Sequence, residues 1–538
     1  MSIKQNGYFG VMLDMSRNGV MRVSEVKRYV DYISAFGYNS LQLYTEDTYE
    51  MEGEPFFGYL RGRYAREELK EIDAYCLSKG VELIPCIQTL AHLNQIFRWD
   101  AYAPINDTRD ILLVGDERTY ALIDKMFKTA AECFTSRKIN IGMDEAFMLG
   151  CGKYLERNGY RKGYDIIREH LDKVLIIAKK YGFSPMMWSD MFFRLATGGP
   201  YAIPENGLDE AAFQSVPQEI SLVYWDYYST DGKHYKEMIA AHQQFNRDLW
   251  FAGGAWTWIG FAPANHFSIK SMEKAMVACK QAGLNNVFIT VWGDNGRECS
   301  PFAILPTLFY LKRYYDGVRD KRAIKAEFFK LTGESFDNMM DLDLPNMVAG
   351  NKDTYLNPCK HMLYNDPFLG YFDTTCSEGV EEEYAKYAKR LARYTAKKTP
   401  LSYLYDSSAK LCKALSYKYA LGAKTRKYYK AKDMEGLKSL ISTYKKAEET
   451  VREFYQSFQA LWHKECKPFG FEIQDARLGG LIHRLEACRK KLEDYVVGKT
   501  DKIEELELEL LDYWDGNAPA KQIPVYQDYK TNISNSAY

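Results

Sequence analysis

Eight short apolar runs recur between residues 8 and 315, at 8–13, 40–44, 82–87, 138–142, 184–188, 221–225, 249–254 and 287–292. Amphipathic stretches with helical spacing separate them, at 24–36 (Ser24 as N-cap), 66–78, 117–134, 164–181, 235–245 and 268–282. A further one at 302–315 follows the last run, and 208–213 is the candidate between the fifth and sixth. Strand and helix alternating eight times over roughly 300 residues is the pattern of an α/β chain closing into a (β/α)8 TIM barrel. An open doubly wound sheet is the competing solution, but no GxGxxG or Walker sequence follows any run.

Past Asp316 the strand signal stops. Residues 320–375 are mixed, with Pro345, Asn351 and Pro358 marking loops. From Gly379 onward long helical stretches follow at 382–397, 404–429, 434–463 and 478–495, the pattern of an α-helical C-terminal domain with antiparallel packing. The expected division is a barrel over 1–318, a connecting region over 319–378 and a helical domain over 379–538. Gly479-Gly480 reads as a helix-opening loop, and the acidic run 504–509 as a solvated face. The tail after Trp514 reads as loosely ordered.

Composition narrows the function. Lys+Arg 71 against Asp+Glu 72 leaves a net charge of −1, so nothing points to nucleic acid or an anionic membrane as the main partner. There is no 18-residue apolar run for a membrane span, and residues 1–7 lack the apolar core of a signal peptide. Eleven cysteines without CxxC spacing read as free thiols in a reducing compartment, so the expected location is cytoplasmic. The eight histidines show no HxH or HExxH spacing; no metal and no cofactor are expected. No GxSxG elbow supplies a serine nucleophile.

In a (β/α)8 barrel the chemistry sits at the C-terminal ends of the strands. In order, these ends carry Asp14 to Arg17, Thr45-Glu46-Asp47, Gln88 to His92, Asp144-Glu145 and Trp188-Ser189-Asp190. Trp225 to Tyr228, Ala255 to Trp258 and Trp292-Gly293-Asp294 complete the set. Acids, one Arg and one His would thus converge on a cleft walled by tryptophan, and five of the nine tryptophans fall at these ends. Asp144-Glu145 stands out by position, not composition, because Asp116-Glu117 and Asp209-Glu210 occur in the same chain. Adjacent carboxylates past a strand end can lean into one cleft, as cleavage of a glycosidic bond requires.

These motifs resemble the catalytic domain of family 20 glycoside hydrolases, the exo-acting β-N-acetylhexosaminidases. The matching residues are Asp14-Met15-Ser16-Arg17, Thr45-Glu46-Asp47, Pro85 leading to His92, Asn140 through Glu145, and Trp292-Gly293-Asp294. Asn140, Met143, Glu46 and Asp294 depart from the family's usual residues, as does Phe9-Gly10 at the opening of the first strand. The chain thus resembles a divergent, short subgroup without an N-terminal α/β domain. The resemblance implies a retaining, substrate-assisted reaction, in which the sugar's 2-acetamido group attacks its own anomeric carbon. Glu145 would be the acid and then the base, and Asp144 would hold the acetamido N–H. Tyr227, with Tyr228 as second choice, would hold its carbonyl. Arg17 and Asp294 would bind sugar hydroxyls, and Trp188, Trp225 and Trp292 would wall the pocket. Glu46 and His92 would tune Glu145, while Trp256 and Trp258 would line the leaving-group side. The implied partner is a glycan with a terminal N-acetylhexosamine, GlcNAc or GalNAc, and the C-terminal helices are a candidate homodimer interface or cleft wall. Three alternatives stand beside this: a barrel glycosidase with a carboxylate nucleophile at Asp294 or Glu298, a barrel that binds sugar without cleaving it, and a metal-dependent hydrolase.

Overall fold

The computed structural model describes residues 7–352, 355–516, 528–534 and 536. The expectations for residues 1–6 and for most of the tail after Trp514 lie outside the described residues.

Eight parallel strands close into a barrel: β1 (Tyr8–Asp14), β2 (Ser40–Tyr44), β3 (Glu82–Cys86), β4 (Lys138–Asn140), β5 (Ser184–Trp188), β6 (Ser221–Trp225), β7 (Leu249–Gly254) and β8 (Asn286–Val291). Closure runs through β1, where Leu13 pairs with Val291 of β8 on one side and with Leu43 of β2 on the other. Every residue of β2 and β7 is buried, as strands covered on both faces require. Inside the barrel, Met12, Tyr44, Ile84, Met186, Trp188, Trp250 and Phe288 pack together, so the interior is a filled core and not a channel.

The fourth run is shorter than its apolar stretch suggests. The strand ends at Asn140, whose side-chain oxygen accepts the Gly142 N–H at 3.0 Å. That local bond substitutes for a ladder bond and starts the turn carrying the two carboxylates. Gly142 then takes φ +72°, and a Cβ there would lie 2.0 Å from Gln88 Oε1, so only glycine fits.

Helix boundaries differ from the sequence pattern in informative places. The first helix, Val23–Phe36, starts one residue ahead of Ser24, with Arg22 at the cap position, and closes at Gly37 (φ 93°), whose N–H reaches Ile33 and Ser34 carbonyls. Immediately after β5 comes Asp190–Thr197, a helix the periodicity did not reveal, ahead of the short Glu210–Gln214.

Contact density divides the chain into two units. One holds the barrel (1–255, 268–292, 308–320), and the other takes the loops 256–267 and 293–307 together with 321–538. Thus two barrel loops belong with the C-terminal unit. Its long helices are Val380–Thr395, Ser402–Lys418, Met434–Glu465 and Phe471–Val496. The expected single stretch 404–429 is broken at Tyr419-Ala420, and Leu421–Lys430 follows as a separate helix. Gly479 and Gly480 open no loop; they lie inside Phe471–Val496. Each glycine costs a helix about 1 kcal/mol, and the buried Leu478, Leu481, Ile482 and Leu485 hold this one in place. Among the described residues, no helix is long and apolar enough to cross a membrane.

Candidate active site

The barrel unit gathers polar side chains at the C-terminal strand ends. After β1, Asp14 caps its own turn, accepting the Ser16 N–H and hydroxyl at 2.9 Å each. This turn presents Arg17, whose guanidinium lies 3.3 Å from Asp14 and 3.5 Å from Glu46 and sits over the rings of Tyr44 (4.7 Å) and Trp292 (5.0 Å). Arg17 is therefore fixed by charge and by two aromatic faces at once. Glu46 also accepts the Tyr44 hydroxyl at 3.2 Å. Burial pushes its carboxyl up, and Arg17 pulls it back.

Asp144 is held on both oxygens. The Gln88 amide donates to Oδ1 at 2.8 Å, and His92 Nε2 approaches Oδ2 at 3.2 Å. Gln88 also accepts the Met143 N–H at 3.2 Å, tying the β3 loop to the β4 turn. Burial opposes the Asp144 anion, but the His92 cation and the Gln88 hydrogen bond hold its carboxyl below the ordinary value. Burial likewise opposes a charged His92, yet Asp144 wins and raises the imidazole to about 9.

Glu145 lives differently. Its side chain is 36% exposed, with Arg194 Nη2 at 3.5 Å and His92 at 3.8 Å. Burial, then the adjacent Asp144 charge, raise its carboxyl; the cations counter this in part. The turn itself is unusual, because Met143 (φ 72°) and Glu145 (φ 52°) both adopt left-handed backbone. Such strain persists only where surroundings over-determine it. Here Asp190 Oδ2 accepts the Glu145 N–H at 3.1 Å and Arg194 Nε at 2.9 Å. Asp190 is fully enclosed, and burial with the Asp144 charge keeps its carboxyl well above the usual range.

Of the aromatic candidates, Trp292 is half-buried and its ring lies 6.1 Å from that of Trp188, itself a core residue at 1% exposure. Trp225, also half-buried, stacks on Tyr227 at 5.3 Å. Tyr227 is buried against Gly254, where a Cβ would meet its ring at 2.8 Å, whereas Tyr228 is 50% exposed. Trp256, Trp258 and Asp294 fall in the second unit. There Trp256 stacks on Trp258 at 4.2 Å and on Tyr355 at 4.7 Å, and both indoles are buried. No cluster of three or more His, Cys, Asp or Glu able to hold a metal occurs among the described residues.

Sequence reasoning had passed over Gln88, Tyr44, Asp190 and Arg194 as site residues. Gln88 and Asp190 stand at strand ends and were visible there; Arg194 lay on an unrecognised helix. Tyr201 was also missed. Its hydroxyl lies 2.9 Å from Ser189 Oγ and 3.2 Å from His242 Nε2, and its ring packs on Trp225 at 5.1 Å.

A carboxylate pair in opposed environments, at the mouth of a (β/α)8 barrel, defines the class of barrel glycosidases. Residues 7–244 match the glycosyl hydrolase family 20 catalytic domain, and residues 334–524 the glycoside hydrolase 20C C-terminal domain. The chain belongs to glycoside hydrolase family 20. It is 27% identical over 247 residues to hexosaminidase D of Homo sapiens, covering 43% of this chain and 48% of that protein. Against hexosaminidase D of Bos taurus the identity is 25% over 238 residues, covering 42% of this chain and 64% of the other. The chain thus spans about half to two thirds of the length of these relatives. The crystal structure of a family 20 exo β-N-acetylglucosaminidase from Vibrio harveyi aligns with TM-score 0.46 and 14% identity, over 63% of this chain and 58% of the other.

Proposed function

We propose that the chain is an exo-acting β-N-acetylhexosaminidase that removes terminal β-linked GlcNAc or GalNAc from glycans with retention of configuration. The observation that carries this is the divergence of two adjacent carboxyls: Asp144 is held as an anion by His92 and Gln88, while Glu145 is raised towards its acid form. A proton donor beside a fixed negative charge is what the reaction needs.

Glu145 gives its proton to the glycosidic oxygen as the C1–O bond breaks. The substrate's acetamido oxygen closes on C1, and the Asp144 anion accepts a hydrogen bond from the acetamido N–H and stabilises the positive charge of the resulting oxazolinium. Glu145, now a carboxylate, removes a proton from the water that opens this ring. The Tyr227 hydroxyl orients the acetamido carbonyl beside Trp225, and Arg17 binds ring hydroxyls. The family's substrate-assisted chemistry and the buried setting of Asp144 both support this course. The lack of any disulfide among the described cysteines supports a reducing, cytoplasmic setting.

The test is nitrophenol release from the β-N-acetylglucosaminide and the β-glucoside, with wild type beside Asp144→Asn. The expected result is turnover of the acetamido substrate alone, slowed by about 10²-fold in the variant. Turnover of the plain glucoside would replace the reading with a protein nucleophile. Glu298 is badly suited to that part, because Lys360 at 2.7 Å and Arg477 at 3.0 Å already neutralise it within the second unit. Tight sugar binding with no turnover would instead leave a binding barrel.

A further inference from the structure

Two residues past Glu145 stands Phe147, a large apolar side chain left 59% exposed, with Met148 beside it at 53%. A lone exposed aromatic on a soluble protein is ordinary. This one is not lone. Its N–H closes a tight turn onto the Glu145 carbonyl at 2.7 Å, which fixes it to the catalytic turn. The Arg194 guanidinium lies 4.8 Å from its ring centroid. Arg194 is itself immobilised, donating from Nε to Asp190 at 2.9 Å and from Nη1 to the Gly199 carbonyl at 3.0 Å, with Nη2 directed at Glu145 Oε1. Only 14% of its side chain is exposed. The ring therefore rests on a rigid, charged, planar support, with much of its surface open.

The geometry of the reaction says what belongs there. A general acid must come within hydrogen-bond reach of the atom it protonates, about 3 Å. The oxygen that Glu145 protonates is bonded to the first residue of the leaving group. That residue must therefore occupy the space beside the Glu145 carboxyl, where Phe147 and Arg194 stand. A pyranose presents an apolar face of axial C–H groups, which an aromatic face covers without desolvating hydroxyls.

We propose that Phe147, braced on Arg194, is the platform on which the first leaving-group sugar stacks, making it a specificity-determining residue for glycans over simple glycosides. The proposal rests on the hexosaminidase reading above. It assigns the leaving group as a pyranose and not a flexible lipid or peptide chain.

The experiment compares kcat/KM on N,N′-diacetylchitobiose with that on N-acetyl-β-glucosaminyl fluoride, whose leaving group cannot stack. In Phe147→Ala the chitobiose-to-fluoride ratio should fall by about fivefold, the range expected of one lost ring contact, and Phe147→Trp should restore it. An unchanged ratio overturns the proposal, as does an equal loss on both substrates, which would make Phe147 a prop for the acid turn only. A second arm separates binding from catalysis. In the Glu145→Gln background, calorimetry should show chitobiose binding more tightly than free N-acetylglucosamine, with Phe147→Ala abolishing the difference. Equal affinities before that substitution would overturn the platform. A wild type inactive on both substrates would count against the hexosaminidase reading itself.

Discussion

Two regions of this molecule bury carboxylates beside cations, with opposite results. At the barrel mouth, Asp14, Glu46, Asp144, Glu145 and Asp190 are paired with Arg17, His92 and Arg194. Acid exceeds base there, so burial lifts Glu46, Glu145 and Asp190 while Asp144 takes most of the stabilising charge. In the second unit, Glu298 faces both Lys360 and Arg477, and Asp366 takes a two-pronged bond from Arg484 at 2.6 and 3.0 Å. At Asp366 the Arg484 fork outweighs burial and holds the carboxyl below its ordinary value. At the mouth burial wins at Glu46, Glu145 and Asp190, and a group that must give up and regain a proton belongs among such acids.

The comparison is sharpest at Glu145. Glu145→Gln should lower kcat/KM on N,N′-diacetylchitobiose by about 10³-fold, and by much less on a substrate whose leaving group needs no proton. An equal loss on both would remove Glu145 from the acid's role. In the matched region the readout is stability. Lys360→Met leaves Glu298 buried with one cation fewer, and denaturant unfolding should show a loss of about 3 kcal/mol. An unchanged midpoint would mean that the Lys360–Glu298 pair does not hold the second unit together.

Asp144→Asn should slow turnover by about 10²-fold even with a good leaving group, since it removes charge from the ring-closing step and not from proton donation. The smallest effect concerns His92. Its imidazole is raised from 6.5 to about 9 in the folded chain, so the stability it contributes is fully present below pH 6.5 and lost as pH rises through 9. Wild type should therefore lose stability across that window, and His92→Gln should flatten the profile. In the same variant the acid limb of kcat/KM should move to higher pH, because Asp144 has lost the cation that holds its proton off. A profile unaltered by the substitution would separate His92 from Asp144.

Much of the barrel was legible in the chain. Strands covered on both faces read as continuous apolar runs, and seven of the eight begin at the residue where the pattern places them, while β8 starts one residue early, at Asn286 in place of 287. The residues at their ends could then be listed by position alone. Less legible were features where packing outweighs local preference. Gly479 and Gly480 continue a helix because buried leucines hold it, and the break at Tyr419-Ala420 falls ahead of the one glycine of its stretch, Gly422, which lies inside the next helix.

The site divides in the same way. Local sequence determined the strand–turn that carries Asp144-Glu145, since Asn140 ends the strand on the Gly142 N–H and Gly142 alone tolerates the approach of Gln88. Which carboxyl keeps its proton is not a property of that dipeptide. It depends on His92 and Gln88 from the β3 loop reaching Asp144, and on Asp190 and Arg194 from the helix after β5 reaching the Glu145 turn. Covalent neighbours share a backbone, but charge and burial act through space. The residue types and their order were therefore set by the chain, and their acid–base roles only by closure of the barrel.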